Sequence, residues 1–272
     1  MVDEVVGVTG ATGFVGRHLV KRLQDEGREV KPFRGEIVSG EGLDKFLKGV
    51  KNVIHLAGRF APPNGEIFQV NVLGTFNLLE KCAEHNVKKI IFPSSIALYG
   101  EPPDRPWKET DKPCPNTVYG LSKLLAEETI RYWGDNHQIK YLLLRFPNIY
   151  GPGNQKGVVF NFKKAVCKVG KVTIYGDGKQ ERDFLFVDDA IEAIIKALNY
   201  NGPSDIFNIG SGKTVSLLEL AKLLEKTLGQ KIPIEFKPAE AHVVRKLSGD
   251  VTKAKNLLDW RPKVSLEEGL SK

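Results

Sequence analysis

"TGATGFVGRH" (residues 9–18) sets Gly10, Gly13 and Gly16 at three-residue spacing, after the apolar run "VVGVTG" (5–10) and at the start of "FVGRHLVKRLQDEG" (14–27). Glycine triplets say little by themselves in a chain with 27 glycines. Here the triplet ends a strand-like run and opens a segment whose apolar residues recur at helical spacing. Such a turn lets backbone approach a pyrophosphate, while the helix start at Phe14 and Val15 offers free N–H groups and the positive end of its dipole. Gly16 then allows the helix to pack closely on the strand. "REVKPF" (28–33) reads as a second strand, so the chain opens β-turn-α-β, the first unit of a doubly wound parallel sheet.

The alternation continues: "KNVIHLAG" (51–58), "VKKIIFPSS" (87–95) and "IKYLLLRFPNI" (139–149) are strand-like, and "FQVNVLGTFNLLEKCAEH" (68–85), "VYGLSKLLAEETIRYWG" (118–134) and "VDDAIEAIIKALN" (187–199) are helical. Between the second strand and "KNVIHLAG", the segment 34–50 holds one short helix, "EGLDKFLKG", and no room for a full crossover, which takes a dozen or more residues. A sheet trimmed at that edge is expected. From about residue 151 glycine-rich loops take over ("YGPGNQKG", "YGDGKQERD", "NIGSGKT"). The expected fold is a Rossmann-type parallel sheet over 1–150 and a smaller α/β substrate lobe over 151–272, with a segment near 180–200 returning to the large sheet.

The 272 residues are 41% hydrophobic and 27% charged, with a formal charge of +7. The lysines are interleaved with acids on amphipathic segments and form no basic block with aromatic platforms, which argues against nucleic acid. No apolar run approaches the roughly 20 residues of a membrane span. The N-terminus carries two acids and runs straight into a strand, unlike a signal peptide. Cys82, Cys114 and Cys167 lack C-x-x-C spacing and the five histidines are isolated, so no metal site is expected, and a reducing cytoplasm is. An acid at the end of the second strand would accept from the ribose of NAD, whereas an arginine suits the 2′-phosphate of NADP. Arg34 stands there with Glu36 two residues on, which leaves NAD and NADP both open.

In "TVYGLSKLLAEE" (117–128) Tyr119 and Lys123 lie one helical turn apart on one face. Tyr175 and Lys179 share the spacing in "YGDGK", but two intervening glycines make that a loop. The full series of motifs, adding "NVLGTFNLL", "IFPSSIALYG", "RFPNIYGPG", "GDGKQERDFLFVDDA", "FNIGSG" and "GDVTKAKNLLDWRP", resembles the NAD-dependent epimerase/dehydratase family of nucleotide-sugar enzymes, within the extended short-chain dehydrogenase/reductases.

The resemblance implies roles. Tyr119 and Lys123 match the catalytic pair and Ser95 its hydroxyl partner, with Ser94 the alternative. Lys123 would help the phenol ionise and hold the nicotinamide ribose. Leu56, Ala57 and Gly58 match the strand end beneath the cofactor, Asn71 a helix asparagine near it, and Pro147 and Asn148 the stretch beside nicotinamide and substrate. Arg182 and Arg245 match the arginines that clamp a nucleotide-sugar diphosphate, unless they pair with Asp183 or Asp250. Asp188 and Asp189 resemble a carboxylate pair but begin a helix, where capping is expected. Dehydratases place acids just after the strand's hydroxyl residue, and decarboxylases use an acid near the same strand end. Ile96 and Ala97 stand there, leaving a UDP-sugar 4-epimerase as the expected activity and an NADP-dependent reductase as the alternative. The helices around 68–85 and 118–134 carry more apolar residues than one buried face needs, and in the family this pair forms a homodimer interface.

Overall fold

The computed structural model describes residues 4–239 and 244–272. Its first half runs β1 (Val6–Thr9), α1 (Phe14–Asp25), β2 (Val30–Pro32), α2 (Leu43–Leu47), β3 (Asn52–His55), α3 (Asn64–Phe68), α4 (Gly74–Glu84), β4 (Lys89–Ser95), α5 (Val118–His137) and β5 (Lys140–Phe146). The second half contains β6 (Asn148–Tyr150), α6 (Gly157–Val169), β7 (Val172–Tyr175), β8 (Glu181–Phe186), α7 (Val187–Asn199), β9 (Asp205–Asn208), β10 (Thr214–Ser216), α8 (Leu217–Leu228), β11 (Ile234–Lys237), β12 (Lys246–Leu247), α9 (Thr252–Leu257) and α10 (Leu266–Ser271).

Six parallel strands form the main sheet in the order β2-β1-β3-β4-β5-β9. Its edge is β2, as the short 34–50 connection requires. Both faces are covered, so the strands are apolar on both sides. On β3, Val53 packs with α2, α4 and α5, while Ile54 packs with α1 and α7. The return from the second half is made by α7 and β9, residues 187–208. Residues 181–186 instead form β8, the centre of a smaller sheet with β6, β10 and β12, so the returning segment starts later than expected. β7 and β11 make a separate parallel pair.

The helix expected across 68–85 is continuous but not uniform. Gln69–Leu73 is a π turn between α3 and α4. Such turns widen a helix by one residue and recur at functional sites.

Candidate active site

Gly10 adopts φ +65°. A Cβ there would lie 2.5 Å from the Leu56 carbonyl carbon and 2.6 Å from Ala57 N, and one at Gly16 would overlap the Gly10 oxygen. The β1–α1 turn therefore sits directly on the end of β3. Gly13 caps α1 with no side-chain hydrogen bond, and Phe14 and Val15 are half-buried in its first turn. This side-chain-free surface at a helix start fits the pyrophosphate of a dinucleotide. Arg34 is exposed beyond β2, and nearby Glu36 is turned toward its own loop, accepting from Val38 N at 3.2 Å.

β3 and β4 end beside α5. Thr117 caps that helix by accepting from Gly120 N at 3.0 Å, which sets Tyr119 in its first turn. Burial pushes the Tyr119 phenol up to about 12, and the neighbouring Ser95 hydroxyl opposes that rise. Lys123 is 6% exposed; its Nζ donates to Pro93 O at 2.9 Å and stands 4.2 Å from the Phe92 ring centre. Burial lowers the ammonium to about 8, against the pull of Glu127. The helical spacing points to Lys123 acidifying Tyr119. In the protein alone burial dominates the phenol, and Lys123 is held by the strand below. A Cβ on exposed Gly58 would be 3.9 Å from Lys123 Nζ, so the lysine lies just under that strand end. Ser94 Oγ is buried without a partner among the described residues.

Asn71, expected near the cofactor, lies beside Gly58 and is engaged by the protein itself. Its Oδ1 accepts from Arg59 N (2.7 Å), and its Nδ2 donates to Arg59 O (2.8 Å) and Ser122 Oγ (2.9 Å). Ser122 in turn donates to Tyr119 O at 2.8 Å. The π turn carries Asn71 to this junction, where it ties the loop after β3 to the helix bearing the phenol. It positions; its polar atoms are already committed.

Beneath it runs a second chain of which the isolated histidines give no sign. Ala57 N donates to Thr9 Oγ1 (3.1 Å), and Thr9 Oγ1 meets His55 Nδ1 (2.7 Å). His55 Nε2 meets Thr75 Oγ1 (3.0 Å), which donates to Asn71 O (2.6 Å). Because Thr75 spends its proton on Asn71, it accepts from His55 Nε2–H, and Nδ1 accepts from Thr9. Burial lowers His55 to about 3, which keeps the ring neutral as this chain demands.

At the second lobe, Pro147 follows β5 beside the 209–212 loop, and Asn148 is exposed, with Nδ2 3.3 Å from Asp183 O. Arg182 is half-buried on β8 and held below its ordinary basicity by burial, which Glu101 opposes. Arg245 is exposed; its main chain accepts from Glu181 N (2.7 Å) and donates to Glu101 (3.1 Å). Arg245 immediately precedes β12, whose Leu247 pairs with Arg182 on β8. Asp183 binds Ser211 and Gly212, and Asp250 binds Thr252 N. Asp189 accepts from Lys263 N (2.9 Å) and Val264 N (3.0 Å), fixing the C-terminal segment instead of capping its own helix. Tyr175 ends β7 exposed, and Gly176 and Gly178 at positive φ turn the chain away from any helix there.

Residues 6–210 match the model of the NAD dependent epimerase/dehydratase family. The chain is 32% identical to UDP-glucuronic acid decarboxylase 1 of Arabidopsis thaliana over 97% of its length and 67% of that protein's. It is 31% identical to the UDP-glucose 4-epimerase of Mycolicibacterium smegmatis, covering 97% and 96%. The crystal structure of UDP-glucose 4-epimerase from Thermotoga maritima, solved with UDP-glucose, superposes with a TM-score of 0.93 at 33% identity, covering 98% of this chain and 96% of that one.

Proposed function

The chain belongs to the NAD-dependent epimerase/dehydratase family, and on that premise we propose that it is a UDP-sugar 4-epimerase of the UDP-glucose/UDP-galactose type, working through a transient 4-keto sugar. The observation that carries the reading is the end of β4. Ser95 and Tyr119 meet there above buried Lys123, and the following positions hold Ile96, fully buried, and Ala97. Neither can supply the acid that the family's dehydratases and decarboxylases use.

Gly10, Gly13, Phe14, Val15 and Gly16 would hold the pyrophosphate of NAD, Leu56 to Gly58 would border it and Lys123 would serve its ribose. The bound cofactor would supply a reversible hydride acceptor for the sugar carbon. Tyr119 takes the proton of the sugar 4-hydroxyl and later gives it back. Ser95 hydrogen-bonds the same oxygen as it becomes a carbonyl, a donor placed where charge develops. Arg182 and Arg245 grip the diphosphate by charge-assisted hydrogen bonds, which leaves the sugar free to turn over.

We also read the chain as a homodimer. Leu73 just before α4, Phe76 on α4, and Leu121, Leu125 and Tyr132 on α5 are between 37% and 65% exposed on adjoining helices, an apolar face of the kind that self-association covers. Its free cysteines suit a reducing, cytoplasmic setting.

The test is incubation with UDP-glucose or UDP-galactose and no added cofactor. Interconversion is expected, and denaturation should release NAD. Strict dependence on stoichiometric NADPH would instead mark a reductase and bring Arg34 back as a 2′-phosphate ligand.

A further inference from the structure

The loop after β3 is stapled from several sides. Arg59 donates to Ala61 O (3.1 Å) and Pro62 O (3.2 Å) and pairs with Glu66 (2.8 Å), while Asn71 grips its main chain. Between these anchors Phe60 is left 51% exposed, its ring at 76° to that of Tyr119 with centres 6.4 Å apart. A large apolar side chain held in water beside a catalytic phenol has no packing reason to be there. From the other lobe comes Lys156, at the N-cap of α6, its main-chain N donating to Asn154 Oδ1 at 3.0 Å. Its Nζ lies 4.9 Å over the Phe60 ring. The two halves of the chain thus meet at this contact, beside the Tyr119 ring.

The charges around the contact are unequal. Arg59 is neutralised by Glu66, whereas among the described residues Lys156 rests on an aromatic face and pairs with no carboxylate. An exposed cation–π contact is worth only about 0.5–1 kcal/mol, so the ammonium readily exchanges it for an anion. The aromatic face suits the C–H side of a pyranose, and the cation suits a negative group carried by that ring.

We propose that Phe60 and Lys156 form the outer wall of the sugar subsite and favour UDP-sugars that carry a carboxylate at C6, UDP-uronates, over the neutral UDP-hexoses, which the same site interconverts as slower substrates. The proposal rests on the epimerase reading above for the position of the sugar. Phe60 packs on the ring whatever its C6 group. Lys156 donates to the uronate carboxylate, an interaction of the charge-assisted kind that a hydroxymethyl group cannot match. A charged hydrogen bond of this type corresponds to a preference of about ten- to a hundredfold.

The experiment compares UDP-glucuronate with UDP-glucose in two ways: kcat/KM of the NAD-loaded enzyme, and calorimetric affinity of the Tyr119→Phe variant. The wild-type ratio should favour the uronate at least tenfold on both measures. Lys156→Gln should lower the ratio about tenfold and Lys156→Glu should invert it. Phe60→Leu should weaken both nucleotides and keep the ratio. Lys164→Gln, which removes the same charge further along α6, should also keep it. A wild-type ratio near one, or a ratio that neither Lys156 variant moves, overturns the proposal. Absence of turnover with both nucleotides would instead sink the epimerase reading, and the calorimetric ratio would still decide the role of Lys156.

Discussion

Tyr119 sits at about 12 in the protein alone, because burial disfavours the phenolate more than Ser95 favours it. Near neutral pH about one phenol in a hundred thousand is then ionised, and full ionisation costs about 7 kcal/mol at 1.36 kcal/mol per unit. Lys123 cannot supply that from where it is, bonded to Pro93 O. Binding NAD should change both facts: the nicotinamide ring brings a positive charge to the phenol, and the ribose hydroxyls offer Lys123 a new partner nearer the tyrosine. An opposite charge within about 4–6 Å lowers such a group by about 1–3 units. Two such charges should bring Tyr119 down by about 2–6. The measurement is the ultraviolet tyrosinate absorbance of wild type minus Tyr119→Phe, titrated on enzyme stripped of nucleotide and again after reloading with NAD. Titration of the stripped enzyme below about 10, or no displacement on reloading, would refute the idea that burial sets the resting state and the cofactor releases it.

Gly16→Ala should fold yet copurify with little or no dinucleotide, since its Cβ would overlap the Gly10 oxygen; full occupancy by mass would contradict the pyrophosphate cradle. Glu127→Gln strips the buried guanidinium of Arg145 of its counter-ion, contacts that run from 2.6 to 3.1 Å. Its loss should cost about 3–5 kcal/mol in urea unfolding, and Glu127→Gln with Arg145→Met should regain much of it; a double variant no better than the single would count against the pair. Asp183 is raised by burial from 3.8 to about 6, so its contribution to stability is complete below about 4 and lost as pH rises through about 6. The rise amounts to about 3 kcal/mol. Thermal melts of wild type and Asp183→Asn should therefore diverge between acid and neutral pH, and parallel curves would show that the carboxylate does not titrate as described.

What the sequence discloses follows from the range of the interactions involved. The glycine turn is written within seven residues, Gly10 to Gly16, and Tyr119–Lys123 within one helical turn, so both are legible from local spacing. The trimmed edge is legible because chain length alone forbids a crossover. Asn71 stands out by its motif, but its partner is Arg59 in a loop and Ser122 on another helix, and the π turn that aims it depends on those contacts and not on local propensity. His55 looks isolated because Thr9 and Thr75 are 46 and 20 residues away along the chain. β8 reads as part of the returning segment because its apolar run suits either sheet; only pairing with β6, β10 and β12 decides between them. Phe60 and Lys156 leave no trace at all, since neither a lone phenylalanine nor a lone lysine has a pattern.

The two lobes also share a buried polar chain that bears on how the site works. From α5, Glu127 holds Arg145 on β5; Arg145 donates to the Tyr99 hydroxyl (2.7 Å), and Tyr99 donates to Asn208 Oδ1 (2.9 Å) on β9. Asn208 donates to Trp107 O (2.8 Å), Trp107 N donates to Ser248 O (3.1 Å), and Asp250 N donates back to Trp107 O (2.7 Å). An apolar core of the same volume would often be as stable or more so. What the polar chain adds is direction: its donors and acceptors are matched to one another, so a shift at one end leaves a buried group unpaired at the next. Glu127 is one turn beyond Lys123 on the helix that carries Tyr119, and Ser248 follows β12, which pairs with Arg182 on β8. The chain therefore links the β8–β12 pair, where Arg182 lies, to the helix that carries Tyr119, the two ends that the proposed reaction assigns to diphosphate and sugar. On the proposed reading, a substrate that turns over about its diphosphate needs both ends of the site to keep their separation, and this hydrogen-bonded chain, whose buried members a shift would leave unpaired, opposes a change in it.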